Sequence, residues 1–559
     1  MRVDAYWCMS NQIGFPALRR SLLAAATGLL LAAGAASAQP PLVGLSEVRA
    51  QRFDNEDLFF FVPDVGDHFG WALAAGDFDG DGAQDLATGV PYDEGLLGAA
   101  CDDCGIVVVR YGVLREGLAG GLADTVLYQG LAGSPSAPEP DEHFGAALAA
   151  GDFNGDGFDD LAVGVPRDVV RLPPTASGPV GAVQVHYGTA SGLQIGNPEY
   201  LHEVLDWSEV DPCVSVGDEF GASLAAGNFD GDAFDDLAIG APSGCIANPF
   251  VSDAGEVFVA HGSAAGLLEL AGYGISENSA GIFGDAADGE RFGGAVSAGD
   301  FDADGHDDLA IGVPNEGDNG ALYVVMGSPF GLIFVNSVFW APGALGLEPE
   351  AGDRLASALA AADFDGDGHD DLAIGDPGED LGAANELVDA GSISVAFGSP
   401  AWFDLSRTDS FTQGRVYADA AADEPGDRFG WALAAGDFDG DGRADLAVGH
   451  PGEDLPGGVD NGAAVILMGS LDSGLGTRVG SLAAGRGGVP GSNQASQDFA
   501  AALTTGDFDG NGYADLAVGA PWYDSATHND VGYEIVLYGS LFSDGFEIGS
   551  TQRWSSAVP

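Results

Sequence analysis

The chain is 559 residues long and carries 86 acidic against 18 basic side chains, a formal net charge of -68. That balance repels phosphate-rich partners, so nucleic acid and anionic lipid surfaces are excluded, while cations and basic surfaces are favoured. All 18 basic residues are arginine, and without lysine there is no P-loop, Schiff-base, pyridoxal or protein kinase chemistry, each of which needs that amine at the reacting centre.

The first predicted element is an export signal over residues 1–38. Arg19 and Arg20 precede an apolar run from Leu22 to Ala35, and Ala36-Ser37-Ala38 supplies small residues before Gln39, where the mature chain is expected to start. The paired arginines fit an ordinary leader or a twin-arginine signal, so the route stays open between secretion, the cell surface and the periplasm. No later stretch reaches the ~20 apolar residues of a membrane span. Cys8 falls in the leader; Cys101, Cys104, Cys213 and Cys245 remain, and in an oxidising compartment local pairing as Cys101–Cys104 and Cys213–Cys245 is the simplest of three connectivities.

From residue 39 to 540 the chain is tiled by seven copies of a block reading Asp-Phe-Asp-Gly-Asp-Gly-x-x-Asp-Leu, starting at Asp77, Asp152, Asn228, Asp300, Asp363, Asp437 and Asp507. The copies lie 63 to 76 residues apart, a length that suits a four-stranded blade with loops. Segments rich in Ala and Gly flank each block, as in 69–76 and 86–91, and read as the first two strands. Alternating segments such as 181–188 and 391–398 read as a third, half-exposed strand. After residue 540 little chain remains for a fourth strand in the last unit, whereas 45–53 precedes the first unit and matches an outer strand. The expectation is an all-β, seven-bladed β-propeller whose ring is closed by that N-terminal strand, hiding edges that an open solenoid would expose.

The block itself is a cation loop. Alternate carboxylates at positions 1, 3, 5 and 9 converge, glycine at position 6 turns the chain sharply, and the position 7 carbonyl adds an oxygen; an all-oxygen cage of this kind suits calcium over magnesium or zinc. The candidate ligands are Asp77, Asp79, Asp81, Ala83 and Asp85; Asp152, Asn154, Asp156, Phe158 and Asp160; Asn228, Asp230, Asp232, Phe234 and Asp236; Asp300, Asp302, Asp304, His306 and Asp308; Asp363, Asp365, Asp367, His369 and Asp371; Asp437, Asp439, Asp441, Arg443 and Asp445; and Asp507, Asp509, Asn511, Tyr513 and Asp515. The third loop is the weakest of the seven, because Asn228 removes a charge and Ala233 replaces the turn glycine. His306 and His369, at position 7, are read with their side chains toward solvent.

Phe69-Gly70, Phe144-Gly145, Phe220-Gly221, Phe292-Gly293 and Phe429-Gly430, with Gly240-Ala241-Pro242 and Gly519-Ala520-Pro521, resemble the two halves of an FG-GAP repeat. Gly89-Val90-Pro91, Gly164-Val165-Pro166, Gly312-Val313-Pro314, Gly375-Asp376-Pro377 and Gly449-His450-Pro451 are near matches; Leu355-Ala356 and Phe499-Ala500 depart from the first half. The resemblance is to the propeller of integrin α subunits and to exported bacterial proteins. It implies calcium loops on one face and ligand-contacting loops on the other, here the acidic segments 92–103, 378–389 and 452–460. An extracellular protein or glycan, cationic or bridged by calcium, is the expected partner of a monomer, and Tyr92, Trp522 and Tyr523 could stack on a sugar.

An enzyme is not expected. No Gly-x-Ser-x-Gly or His-Glu-x-x-His is present, and the alternative, a glycan-acting hydrolase or lyase, would need a site built from loop carboxylates alone. The tail 541–559 lies beyond the last unit. Seven divalent ions would cancel only a fraction of the negative charge, so a saline habitat or a wider cation-binding role is needed for the rest.

Overall fold

The computed structural model describes residues 45–539 apart from 55–64, 95–100, 119–120, 132, 135, 173–175, 203–216, 247–249, 269–273, 346, 348, 383–385, 420–421, 456–458, 472–473, 487–488 and 526–527. The expected leader, the tail, Cys213 and parts of the three acidic segments fall outside the described residues.

Among the described residues seven antiparallel sheets of three or four strands follow one another along the chain, with two further two-stranded hairpins in the loops of blades 2 and 5. In blade 1 the strands Ala72–Gly76, Asp85–Val90, Ile106–Arg110 and Thr125–Leu127 pair in sequence order. Blades 2, 4, 5 and 6 repeat the arrangement, and blade 3 holds three strands plus a lone bridge from Val257 to Ile275. Blades pack face to face, so both faces of their middle strands are covered. Asp85–Val90 and its counterparts are therefore buried at every residue. The same packing corrects the reading of the third strand as half-exposed: Ala182–His186 and Ser392–Ala396 are buried throughout, polar residues included.

Gly89 shows why the motif has its form. A Cβ there would stand 2.1 Å from the Gly145 carbonyl oxygen, and the same approach recurs from Gly164 to Gly221 and from Gly519 to Gly70. The Gly-x-Pro glycine of one blade thus lies on the Phe-Gly glycine of the next, while each Phe ring is fully buried beside it. Blade 7 passes this contact to blade 1, closing the ring.

Closure is completed by Leu45–Phe53, which pairs antiparallel with Tyr533–Gly539 as the outer strand of blade 7, from Leu45 opposite Gly539 to Phe53 opposite Glu534. At the seam Arg110 of blade 1 donates to Glu534 Oε1 at 2.6 Å, and Thr88 Oγ1 donates to Oε2 at 2.5 Å. The pair is buried, with Arg110 also over the rings of Phe53 and Phe69. Cys101 and Cys104 form a disulfide, and Cys245 is disulfide-bonded as well.

Candidate functional site

The seven acidic blocks are hairpin turns between first and second strands, so they all emerge at one face of the ring. In the first, Asp77 accepts from the Asp81 and Gly82 N–H groups, Asp79 from Asp81, and Asp81 from Ala83. These bonds position the carboxylates, and oxygens of Asp77, Asp79 and Asp85 lie within 4.8 Å of one another. Asp300, Asp302 and Asp304 gather in the same way. Gly82, at φ +91°, occupies a left-handed conformation that a side chain resists.

Position 9 begins the buried second strand, and its aspartate holds the loop to the sheet. Asp85 accepts from the Phe78 N–H through Oδ2 and from Gly112 through Oδ1, and Asp515 does likewise from Phe508 and Gly539. Burial, followed by the charges of the loop carboxylates, pushes Asp85, Asp160, Asp308 and Asp371 up to about 8, Asp445 to about 7 and Asp515 to about 9. A donor set made of crowded, desolvated carboxylate oxygens fits a hard divalent cation, which would supply the missing positive charge.

The structure adds residues that the ligand pattern passed over. Position 8 ties neighbouring turns together: Asp159 Oδ2 accepts from the Asp77 N–H, Asp235 from Asp152, Asp307 from Asn228 and Asp370 from Asp300. Gln84 performs the same role toward Asp507 across the ring seam. The doubled Asp-Asp at 159–160, 235–236, 307–308 and 370–371 was the available signal. Position 7 corrects the reading of its side chains as solvent-facing. Phe158 lies against Gly80 of the preceding loop, Phe234 against Gly155 and His306 against Gly231. His306 and His369 also meet Asp304 and Asp367 at 2.8 and 2.9 Å.

The third loop differs from its six counterparts. Ala233 does not take the left-handed conformation of the position 6 glycines, and the Asn228 amide donates instead to the Asp232 carbonyl. His261 enters this loop, its Nδ1 3.2 Å from Asp236 and 3.9 Å from Asp230, and the Asp236 carboxylate raises its pKa. In blades 1, 2 and 7 the same register position is Tyr111, Tyr187 and Tyr538. The fifth loop also receives an internal cation, since Arg407 donates to Asp365 Oδ2 at 2.6 Å.

The opposite face carries the loops between second and third strands and those leading into each Phe-Gly. There His68, Trp71, Tyr92, His143 and Trp522, all half-buried, form a continuous aromatic cluster across blades 7, 1 and 2. Tyr92 stands 5.2 Å from Trp71 and 4.6 Å from His143, and Trp71 stands 5.4 Å from Trp522. Tyr92 and Trp522 both belong to this cluster, each packed on Trp71 and His68, whereas Tyr523 is buried against Tyr533 with Arg52 over both rings and belongs to the core.

The FG-GAP repeat family matches the chain seven times, at residues 69–99, 144–186, 220–259, 292–325, 355–395, 429–467 and 499–534. Phosphatidylinositol-glycan-specific phospholipase D of Mus musculus is 33% identical over 171 residues, 29% of this chain and 18% of that protein. Integrin alpha pat-2 of Caenorhabditis briggsae is 31% identical over 266 residues, 46% of this chain and 18% of the integrin. Integrin alpha-V of Gallus gallus is 30% identical over 254 residues, 44% of this chain and 21% of the integrin. The chain therefore spans about a fifth of the length of these relatives.

Proposed function

The chain is an FG-GAP repeat protein, and from that premise we propose that it is a secreted, calcium-binding adhesion or recognition module whose ligand is an extracellular protein or glycan. The observation that carries this reading is the division of labour between the two faces of the ring: acidic turns on one, a half-exposed aromatic cluster on the other. Calcium would be held by positions 1, 3, 5 and 9 of the turns with the position 7 carbonyl, where it neutralises carboxylates and stiffens the hairpins. The aromatic rings then offer flat apolar surface beside acidic loops, suited to a sugar ring or to the aromatic and arginine side chains of a protein partner.

Binding rather than turnover is supported by the state of the paired carboxyl groups outside the turns. Glu142 and Asp168 have raised pKa values of the kind a general acid needs, but both are fully buried beneath backbone and side-chain donors. Similarity to integrin α subunits favours the binding reading too, while the phospholipase D relative matches over a small part of its length. Among the described residues no helix is long and apolar enough to cross a membrane.

The test is a glycan and extracellular-matrix array probed with the whole chain in millimolar calcium, alongside a Trp71→Ala/Trp522→Ala variant. Retention of a defined ligand class that is lost in the variant is expected. Equal retention by both proteins, or none by the parent, would overturn the reading.

A further inference from the structure

A second repeated register lies on the face opposite the hairpins. It comprises the residue two before each Phe of Phe-Gly, the middle residue of Gly-x-Pro, and the residue two after that proline. In blade 6 these are Asp427, His450 and Glu453; in blade 5 they are Asp353, Asp376 and Glu379.

The two blades compensate their buried charge differently. In blade 6 the buried His450 imidazole stands 3.5 Å from Glu453, whose Oε2 also accepts from Gln413 at 2.5 Å. In blade 2, where the middle residue is Val165, Asp168 accepts from Gln129, Ser136 and Tyr200. Blade 5 puts a third carboxylate where blade 6 has its imidazole, and gives it no such partners. Asp353 is 2%, Asp376 1% and Glu379 7% exposed. Asp353 Oδ2 accepts from the Glu350 N–H and Asp376 Oδ1 from the Arg354 N–H. Asp353 Oδ1, Asp376 Oδ2 and Glu379 Oε2 are buried with no hydrogen-bond partner among the described residues. One oxygen from each residue lies within 4.8 Å of those of the other two, and Arg354, the adjacent basic residue, is exposed.

Three desolvated carboxylate oxygens facing one another stay ionised only around a positive charge, and among the described residues only the exposed Arg354 brings one, offsetting burial at Asp376 in small part. We propose that Asp353, Asp376 and Glu379 form a binding site for a hard divalent cation in blade 5, separate from the hairpin turns and on the opposite face. Oxygen-only ligation favours calcium, magnesium or manganese over zinc or copper. Burial raises all three carboxyl groups, with the charges of Glu350 and Asp380 adding at Asp353, that of Asp353 at Asp376, and those of Asp376 and Asp353 at Glu379. A bound ion would rivet the loop after the second strand to the segment entering blade 5, stiffening part of the face assigned to ligand contact.

Asp376→Ala tests the site, because alanine stands at this position in blades 3 and 7 as Ala241 and Ala520 and the fold accommodates it. Crystals of the whole chain and of the variant, soaked in manganese, should both show anomalous density in the hairpin turns, with a further peak between the three oxygens in the parent alone. Hairpin peaks without that further peak would overturn the proposal while leaving the calcium turns standing. Thermal midpoints supply an independent reading in which the turns cancel between the two proteins. With chelator the variant should melt higher than the parent, since one repelling charge is gone; in millimolar calcium or magnesium the order should reverse. A variant that melts higher under every condition would show that the cluster holds no cation.

Discussion

Gly89 and its six counterparts set the distance between blades, because the approach of each to the next Phe-Gly segment leaves no room for a methyl group. Gly89→Ala should therefore cost about 3 kcal/mol, read by urea unfolding, as backbone rather than a flexible side chain must move. The two departures from the Phe-Gly pattern make the converse case. Ala356 and Ala500 hold φ of 64° and 70°, a left-handed conformation that costs alanine about 1–2 kcal/mol. Ala500→Gly should raise stability by up to about 1 kcal/mol after the entropy cost of glycine; a loss of stability would mean that the Ala500 methyl group contributes more packing than its strain costs. The loop ligands were legible at this scale because their spacing is local. His261 was not, since it reaches Asp236 from 25 residues downstream in sequence and only the pairing of second and third strands brings them together. Asp353, Asp376 and Glu379 escaped notice for the same reason, being brought together by folding from two different loops.

At the scale of elements, the closing strand was legible from the shortage of chain after residue 540, but the ion pair that secures it was not. Arg110 and Glu534 are 424 residues apart in sequence and meet across the seam with almost no access to water. Glu534→Ala should destabilise the ring by about 3–5 kcal/mol, because it strands a buried guanidinium, whereas Arg110→Met together with Glu534→Leu should recover much of that loss. Equal damage from the single and double variants would show that packing, not charge, fails. In blade 2, burial, with Asp168 adding, pushes Glu142 from 4.5 to about 8. Between those values the folded chain keeps a proton that the unfolded chain releases, so stability falls as pH rises through the window, by up to about 1.4 kcal/mol per unit, and levels off above about 8. Glu142→Gln removes this dependence. Relative to the parent, the variant should gain about 1–3 kcal/mol between pH 5 and pH 8 in denaturant titrations; a constant difference would contradict the assignment.

For the whole molecule, the fold was legible because seven copies of one short pattern had to be arranged so that each blade buries its neighbours and no edge is left open. The net charge of -68 pulls against that compact ring. Calcium held as proposed in the turns would relieve this strain locally, and each site filled to about one hundred times its dissociation constant would add about 2.7 kcal/mol to stability. Chelation at fixed ionic strength should then lower the melting midpoint by more than about 10 °C, as several sites empty together. Sodium chloride added without calcium acts differently, by screening charges spread over the surface within a Debye length of about 10 Å at 0.1 M. If salt alone restored the full midpoint, acidity in general and not the turns would govern stability. Loop variants locate the effect within the ring. Asp302→Ala in the fourth turn should remove about 2–3 kcal/mol of the calcium-dependent increment, while Asp230→Ala in the third should remove far less, because His261 already stands among its carboxylates and Ala233 alters its turn.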